Sequence, residues 1–130
     1  MVTSDAVQKA RQKARAAFEA AHYDGSCTVT EHRKVMNERS HLTTHEDVVV
    51  YEDQACHLSY KTIQSANQSD TAAPITQITK LFIAPDITIK PGSKITVVQS
   101  GITGEYTHSG IPAVYDTHQE IILEPFERWS

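Results

Sequence analysis

The chain has 130 residues, of which 39% are hydrophobic and 22% charged, and its formal net charge is −4. This composition is close to that of average folded proteins and excludes a disordered or fibrous chain. A negative net charge is unfavourable for a protein whose whole surface binds nucleic acid. Because no apolar run approaches the roughly 20 residues that cross a bilayer, we expect a single soluble domain, residues 1–130, made and used inside a cell.

The first segment, from about Ser4 to His22, is predicted to be an N-terminal helix that ends at Asp24-Gly25, with the glycine in a left-handed conformation. Its apolar residues, mostly alanines, recur at intervals of three and four and form one stripe with basic edges. This stripe either packs weakly on the chain's own β domain or docks on a partner, since alanine buries little area. The basic edges either face solvent or contact phosphates or an acidic surface. The candidate residues of a partner-docking helix are Val7, Lys9, Ala10, Arg11, Lys13, Ala14, Arg15 and Phe18.

Alternating and β-branched segments predict three strands before residue 62. In the first of them, Cys27, Val29 and Glu31 share one face, because successive strand residues point to opposite sides. A polar connection separates the first strand from the second. The predicted strands are 26–35, 48–51 and 55–60, and the connection is 37–44.

The segment 63–74, IQSANQSDTAAP, contains few large apolar side chains and cannot order itself by burying surface. It therefore predicts a long mobile loop, and loops of this length in compact domains are often functional. The candidate residues of a channel or partner loop are Gln64, Ser65, Asn67, Gln68, Asp70 and Thr71.

The second half of the chain again has strand patterns separated by glycine and proline. The last strand carries several glutamates and a proline, which favour an exposed or an edge position. The whole pattern predicts an α+β fold that is mainly β, a small β-barrel or sandwich of six to seven strands preceded by one N-terminal helix. The predicted elements are helix 4–22, β-barrel 26–129, strand 75–84, a Pro91-Gly92 turn, a hairpin of 94–99 and 105–108 across 100–104, and strand 119–126.

Residues that could carry chemistry give weak signals. His41 and His45 have the spacing of two metal ligands on a helix, but SHLTTHED has no helical apolar stripe and offers only two adjacent acidic residues as further ligands. Cys56 precedes His57, but neighbours in a strand point to opposite faces and cannot form a nucleophile–base pair. We interpret Cys27 and Cys56 as small buried residues. With no G-x-S-x-G, P-loop or G-x-G-x-x-G motif, we predict a non-enzymatic protein without cofactor or metal.

Several segments together point to a known family. KLFIAPDITIKPGSKITVVQ, GEY and SGIPAVYDTHQEIILEPFERW, with the earlier YDGSCTVTE, ACHLSYKT and NQSDTAA, resemble the minor capsid proteins encoded in the head gene clusters of siphophages and prophages of Gram-positive bacteria. Proteins at that genomic position resemble head-closure, or stopper, proteins, which form a ring between the portal and adaptor rings above and the tail below.

The resemblance implies a structural virion protein at the head–tail junction, assembled in the host cytoplasm. Its implied partners are copies of itself in a ring, portal or adaptor proteins, tail proteins and, non-specifically, genomic DNA, with no membrane. The resemblance also implies that 64–73 is a loop projecting into the DNA channel, and that Ile89 to Ile95, with Pro91-Gly92 at the turn and Tyr106 after the next hairpin, is a short barrel hairpin.

Three alternatives remain open at this stage. A plain stopper barrel does not require an N-terminal helix, which favours an adaptor-type or tail-terminator virion protein. A nucleic-acid-binding barrel of the OB type fits the short strands and basic helix, but Tyr51, Tyr60, Phe82 and Tyr106 are dispersed among acidic residues rather than beside a basic groove. A small hydrolase has no nucleophile, base or metal site to support it.

Overall fold

The computed structural model describes residues 5–64 and 75–129. One helix precedes seven strands that form a single antiparallel sheet. The fold is therefore α+β and mainly β, as the sequence pattern predicts. In the described part of the chain, no helix is long and apolar enough to cross a membrane. The elements are α1 (Asp5–His22), β1 (Gly25–Met36), β2 (Thr43–Gln64), β3 (Ile75–Ile83), β4 (Lys94–Gln99), β5 (Ile102–Thr107), β6 (Ala113–Val114) and β7 (Gln119–Pro125).

The sheet closes on itself. Its strands follow the order β3-β2-β1-β4-β5-β7-β6, and β3 also pairs with β7, where Leu81 lies opposite Ile121. Six strands thus form a closed barrel, and the short β6 pairs with the start of β7. Closure pairs both sides of every barrel strand, which removes the open edges that a flat sheet exposes.

The barrel interior is aliphatic. Alternation along β1, β3, β4 and β7 places every second side chain inside, as the period-two patterns predict. The residue with the largest side chain among those fully buried is Leu81. The core consists of Cys27, Val29, Cys56, Leu58, Leu81, Ile83, Ala84, Ile87, Ile89, Ile95, Val97, Ile121 and Leu123.

Two buried polar side chains fasten the segment that links β3 to β4. The Nε2–H of His108 donates to the carbonyl oxygen of Ile89 at 2.8 Å. The side-chain amide of Gln119 donates to the carbonyl oxygens of Ala84 and Ile87. Because this segment has no strand partner of its own, these side chains satisfy backbone groups that would otherwise be buried unpaired.

The two strands predicted at 48–51 and 55–60 are one strand. β2 runs without interruption from Thr43 to Gln64, and it bends at Asp53, whose φ is 50°. The register with β1 shifts nearby, as in a β-bulge, which keeps the pairing while changing the strand's direction. The predicted polar connection is correspondingly shorter and occupies 37–42.

Two predictions for the C-terminal strands are wrong. The β4–β5 hairpin turns on Ser100-Gly101, with φ angles of 53° and 75°, so the connection has two residues instead of the predicted 100–104. Positive φ at both positions matches the twist of the flanking strands. Of the two positions predicted for the last strand, the edge is wrong, because β7 pairs with β3, β5 and β6, whereas Glu124 and Pro125 are exposed as the other alternative states. Its glutamates mark the outward positions of the alternation.

Gly25 does not close the helix in a left-handed conformation, because it is the first residue of β1 and its φ is not positive. A glycine is favoured there for a different reason. A Cβ atom at this position would lie 3.0 Å from the Oε1 atom of Gln99 and 3.1 Å from the carbonyl oxygen of Val98. Close approach of β4 therefore disfavours a side chain at Gly25, since the neighbouring atoms would have to shift.

Candidate interaction surfaces

The β1–β2 hairpin extends beyond the barrel. β1 pairs with β4 only as far as Thr30, and β2 pairs with β3 only from Cys56 onward, whereas β1 and β2 stay paired with each other out to Met36 and Thr43. We call residues 31–48 of this hairpin the arm. In the described residues, its two strands pair only with each other, so each has one open edge.

The tip of the arm is a compact turn. The Asn37 amide donates to the Leu42 carbonyl oxygen at 3.0 Å, and the His41 amide donates to the Asn37 carbonyl oxygen at 2.8 Å. The Asn37 side chain also accepts from the Arg39 amide at 2.9 Å. Local hydrogen bonds of this kind let asparagine stabilise a turn. The tip is thus held by hydrogen bonds within the turn itself.

The base of the arm is fixed to the barrel by charge and ring contacts. Glu31 is buried, and its carboxylate binds the Arg33 guanidinium at 2.9 Å, with Lys90 at 3.9 Å. The imidazole of His32 stacks on the ring of Trp129, with centroids 4.8 Å apart. His32 also stacks on His45 and forms a hydrogen bond with the carboxylate of Asp47 in β2. These contacts hold the arm in a defined direction.

The outer part of the arm exposes large apolar side chains. Met36 and Leu42 at the tip are 63% and 65% exposed. Val35 is 39% exposed. Single exposed apolar residues are ordinary, but a group on one projecting element is typical of an interaction surface.

The two edges of the arm carry opposite charge. β1 presents Arg33 and Lys34, and Lys90 lies beside its base, while its one acidic residue is the buried Glu31. β2 has no lysine or arginine from Thr43 to Tyr60. Its exposed acidic residues there are Glu46, Asp47, Glu52 and Asp53.

The helix is held to the barrel mainly at its C-terminal end. The ring of Phe18 stacks on the imidazole of His118, with centroids 4.6 Å apart and planes 6° apart. The Nε–H of Arg15 donates to the carbonyl oxygen of Asp116 at 3.2 Å. No residue of α1 is buried. The helix therefore lies on the surface of the barrel and adds little to its core.

The junction between the helix and β1 contains a partly buried polar group and an ion pair. The Nδ1 atom of His57 lies 2.7 Å from the Oδ1 atom of Asp24, and this hydrogen bond lowers the pKa of Asp24. Burial raises the pKa of the neighbouring Tyr23, whose hydroxyl has no hydrogen-bond partner among the residues that the structure describes. The hydrogen bond between His57 and Asp24 fixes the start of β1 to β2.

The predicted docking residues of the helix lie on two different surfaces. Ala10, Ala14, Val7 and Arg11 border a shallow groove that Asp116 and Thr117 close on the barrel side. Arg15 and Phe18 make the barrel contacts described above, whereas Lys9 and Lys13 are exposed. The structure thus brings part of the apolar stripe near the barrel, and Ala10 and Ala14 are exposed there.

The predicted partner loop lies mostly outside the described residues, which do not include Ser65, Asn67, Gln68, Asp70 or Thr71. The prediction that the loop begins at Ile63 is wrong, because the β2 backbone pairs Ile63 with Thr76 and Gln64 with Ile75. Continued pairing of the two backbones satisfies their hydrogen bonds and extends the hairpin to these positions.

The histidines and cysteines adopt structural positions. His45 lies in β2 and stacks on His32 rather than joining His41 at a metal site, and the described residues contain no group of three or more potential ligands. Cys27 and Cys56 are both buried and free, as predicted for small core residues. A hydrogen bond with Cys27 and burial raise the pKa of Cys56.

Comparisons with known proteins give one structural likeness. No family model and no curated protein matches the chain. The solved structure of the phage-like element PBSX protein xkdH from Bacillus subtilis is similar with a TM-score of 0.46 and 10% sequence identity, over 77% of this chain and 91% of that chain. A likeness of this degree concerns the course of the chain and gives no information on function.

The arm is the surface that the sequence analysis missed. Its polar stretch from Asn37 to Thr44 resembles a loop because the strand residues beyond the barrel are exposed on both faces. Two signals point to it in retrospect. The run Val48-Val49-Val50 has strong β propensity on one side, and the charges separate into a basic first half and an acidic second half.

Proposed function

We propose that this chain is a structural, non-catalytic subunit of a bacteriophage particle that forms a ring between portal or adaptor proteins and the tail. In this role the ring closes the filled head and retains or passes the DNA. The sequence resemblance to minor capsid proteins of Gram-positive siphophages and prophages supports this class of protein. The proposal covers the stopper role first and the adaptor or tail-terminator role as its alternative.

The observation that carries the proposal is that, in the described residues, a closed barrel bears two long elements with extensive exposed surface. The arm extends past the barrel with two open strand edges. The helix α1 has no buried residue, although its alanine stripe is suited to packing. Both surfaces suit a subunit that works by contacting its neighbours, since each supplies area that a partner can bury.

The experiment that tests the proposal uses the phage or prophage that encodes the chain. Deletion of the gene is expected to yield heads that lose their DNA and do not join tails, and addition of the purified chain to fresh lysates is expected to restore joining. Cryo-electron microscopy of complete particles is expected to show the chain on the portal–tail axis. Absence of the chain from purified particles, or normal joining without it, would overturn the proposal.

Separated heads and tails distinguish the two versions of the role. A stopper or adaptor is expected to copurify with filled heads from a mutant that makes no tails. A tail terminator is expected to copurify with tails from a mutant that makes no heads. Mass spectrometry of the two preparations decides between them.

The helix offers a matched pair of variants for the same joining assay. Ala10→Glu with Ala14→Glu places two charges in the apolar stripe and is expected to block incorporation into particles. Gln12→Glu with Ala16→Glu adds two acidic residues on the opposite side of the helix, and is expected to leave incorporation unchanged. Equal incorporation of both double variants contradicts a docking role for the stripe.

A further inference from the structure

We propose that the arms of neighbouring copies pair edge to edge, so that the β1 edge of one arm joins the β2 edge of the next. The inference deepens the proposed function, on which it rests for the presence of several copies in one assembly, and names the surface that joins them. The occupant of each open edge is thus a second copy of this chain.

The backbone supplies the first argument. β1 runs from the barrel to the tip of the arm, and β2 runs back. When arms of copies related by rotation point in the same direction, β1 of one lies beside β2 of the next with opposite strand direction. The contact is therefore antiparallel, like the pairing inside the hairpin from Glu31–Val48 to Met36–Thr43.

The charges supply the second argument. In this arrangement a basic β1 edge with Lys34 faces an acidic β2 edge with Glu46 and Asp47. Pairing of two β1 edges or of two β2 edges would instead place like charges opposite each other, which destabilises cross-strand pairs. Charged residues on an open edge normally prevent self-pairing. Here the basic residues lie on one edge and the acidic residues on the other. This arrangement opposes β1–β1 and β2–β2 pairing, and it favours the β1–β2 pairing, which we call head-to-tail.

The head-to-tail pairing is also a type of contact that can build the ring of the proposed function. A contact that uses two different patches of one chain closes into a ring when the rotation between copies permits it. At the base of the arm, Lys90 and Trp129 line a pocket beside β1 as far as Arg33, so the segment left open for a neighbour is the outer one, from Lys34 to Met36. That outer segment carries the exposed side chains of Val35 and Met36.

Charge reversal tests the pairing on the purified chain. Lys34 and Asp47 lie on the same face of the arm, because Lys34 is paired with His45 in the hairpin. Lys34→Glu and Asp47→Lys are each expected to raise the dissociation constant for self-association about tenfold, by sedimentation velocity at low salt. The double variant restores opposite charges across the contact and is expected to return near the wild-type value. Lys61→Glu and Asp86→Lys make the same charge changes away from the arm and serve as controls. Association of both single variants with wild-type affinity overturns the inference.

Cysteine crosslinking tests the direction of the pairing. Mixed Lys34→Cys and Asp47→Cys chains, one carrying a mass tag, are expected to give the mixed disulfide on oxidation with copper phenanthroline, since both positions lie on the same face of the arm. The native Cys27 and Cys56 are buried and do not compete in the folded chain. Disulfides between two identical variants in place of the mixed product, or a chain that stays monomeric and uncrosslinked, overturn the inference.

The experiments can contradict the arm pairing and the proposed function independently of each other. A chain that pairs through its arms in solution but is absent from phage particles contradicts the proposed function and leaves the arm pairing in place. A ring present in particles and unaffected by either single charge reversal contradicts the arm pairing alone.

Discussion

Phe18 and His118 form a parallel ring stack, with centroids 4.6 Å apart, that joins the helix to the loop before β7. Because α1 has no buried residue, this stack is a principal contact between helix and barrel. Its position at the C-terminal end of the helix leaves the N-terminal half able to contact a neighbour. The helix is thus tethered at one end and exposed along the rest of its length.

The first prediction concerns this stack. An aromatic pair contributes about 1 kcal/mol, so we expect Phe18→Ala to accelerate amide hydrogen exchange across Asp5–His22 severalfold while leaving exchange in the barrel strands unchanged. Lys13→Ala, at an exposed position of the same helix, is the control and should not alter exchange. Unchanged protection in Phe18→Ala would show that other contacts dock the helix.

The sequence predicts the barrel strands better than it predicts the arm, and the difference has a physical cause. Alternation of apolar and polar residues indicates that one face of a strand is buried, so the segments around Val29 and Leu81 are predicted as strands that line a core. His45 belongs to a strand whose two faces are both exposed, so its neighbours show no alternation and resemble a loop. Closure of the barrel could not be predicted from the sequence for a different reason, because the Leu81–Ile121 pairing joins residues far apart in the chain.

The candidate interaction surfaces show the same difference between what the sequence predicts and what it does not. The helix and its stripe could be predicted, because a period near 3.6 is visible in the sequence alone. The contact that anchors it could not, since nothing near Phe18 in the sequence identifies His118 as its partner. The open edges of the arm likewise become visible only when the partners of β1 and β2 are known.

The second prediction concerns Gly25. Gln99 is held in place because its side-chain amide exchanges hydrogen bonds with the backbone of Leu58, at 2.7 and 3.1 Å. Gly25→Ala forces a Cβ atom against Gln99 and is expected to lower the free energy of unfolding by about 1–2 kcal/mol, by weakening these bonds. Gly110→Ala meets no atom within 4 Å and should be nearly neutral. Urea denaturation of both variants makes the comparison, and equal midpoints would contradict it.

The third prediction concerns His108, which is 2% exposed. Its Nε2–H is the hydrogen-bond partner of the Ile89 carbonyl group. His108→Phe preserves much of the side-chain volume but leaves that carbonyl buried without a donor, so we expect a loss of about 1–3 kcal/mol in unfolding free energy. His41→Phe, at the exposed tip of the arm, should change it by less than about 0.5 kcal/mol. Chemical denaturation that finds the two variants equally stable would refute the role of His108.

The fourth prediction concerns the pH dependence of stability at Glu120. Its carboxylate accepts hydrogen bonds from His118 at 2.9 Å and from Lys80 at 3.0 Å. The bond from His118 is the largest cause that lowers the pKa of Glu120, followed among the favourable contacts by that from Lys80. A folded-state pKa below the unfolded value of about 4.3 means that the stabilisation is complete above that pH and is lost as the pH falls through the folded-state pKa.

We therefore expect Glu120→Gln to lower the melting temperature at neutral pH, by the equivalent of about 1 kcal/mol for a partly exposed ion pair. The difference from the wild type should shrink below about pH 4, where the wild-type carboxylate takes up a proton and loses the same interactions. Glu127→Gln, on the exposed C-terminal segment, removes the same charge without either partner and should show no such convergence. Calorimetry across this pH range measures both variants. A deficit in Glu120→Gln that persists undiminished in acid would show that packing, rather than the ionised carboxylate, accounts for its contribution.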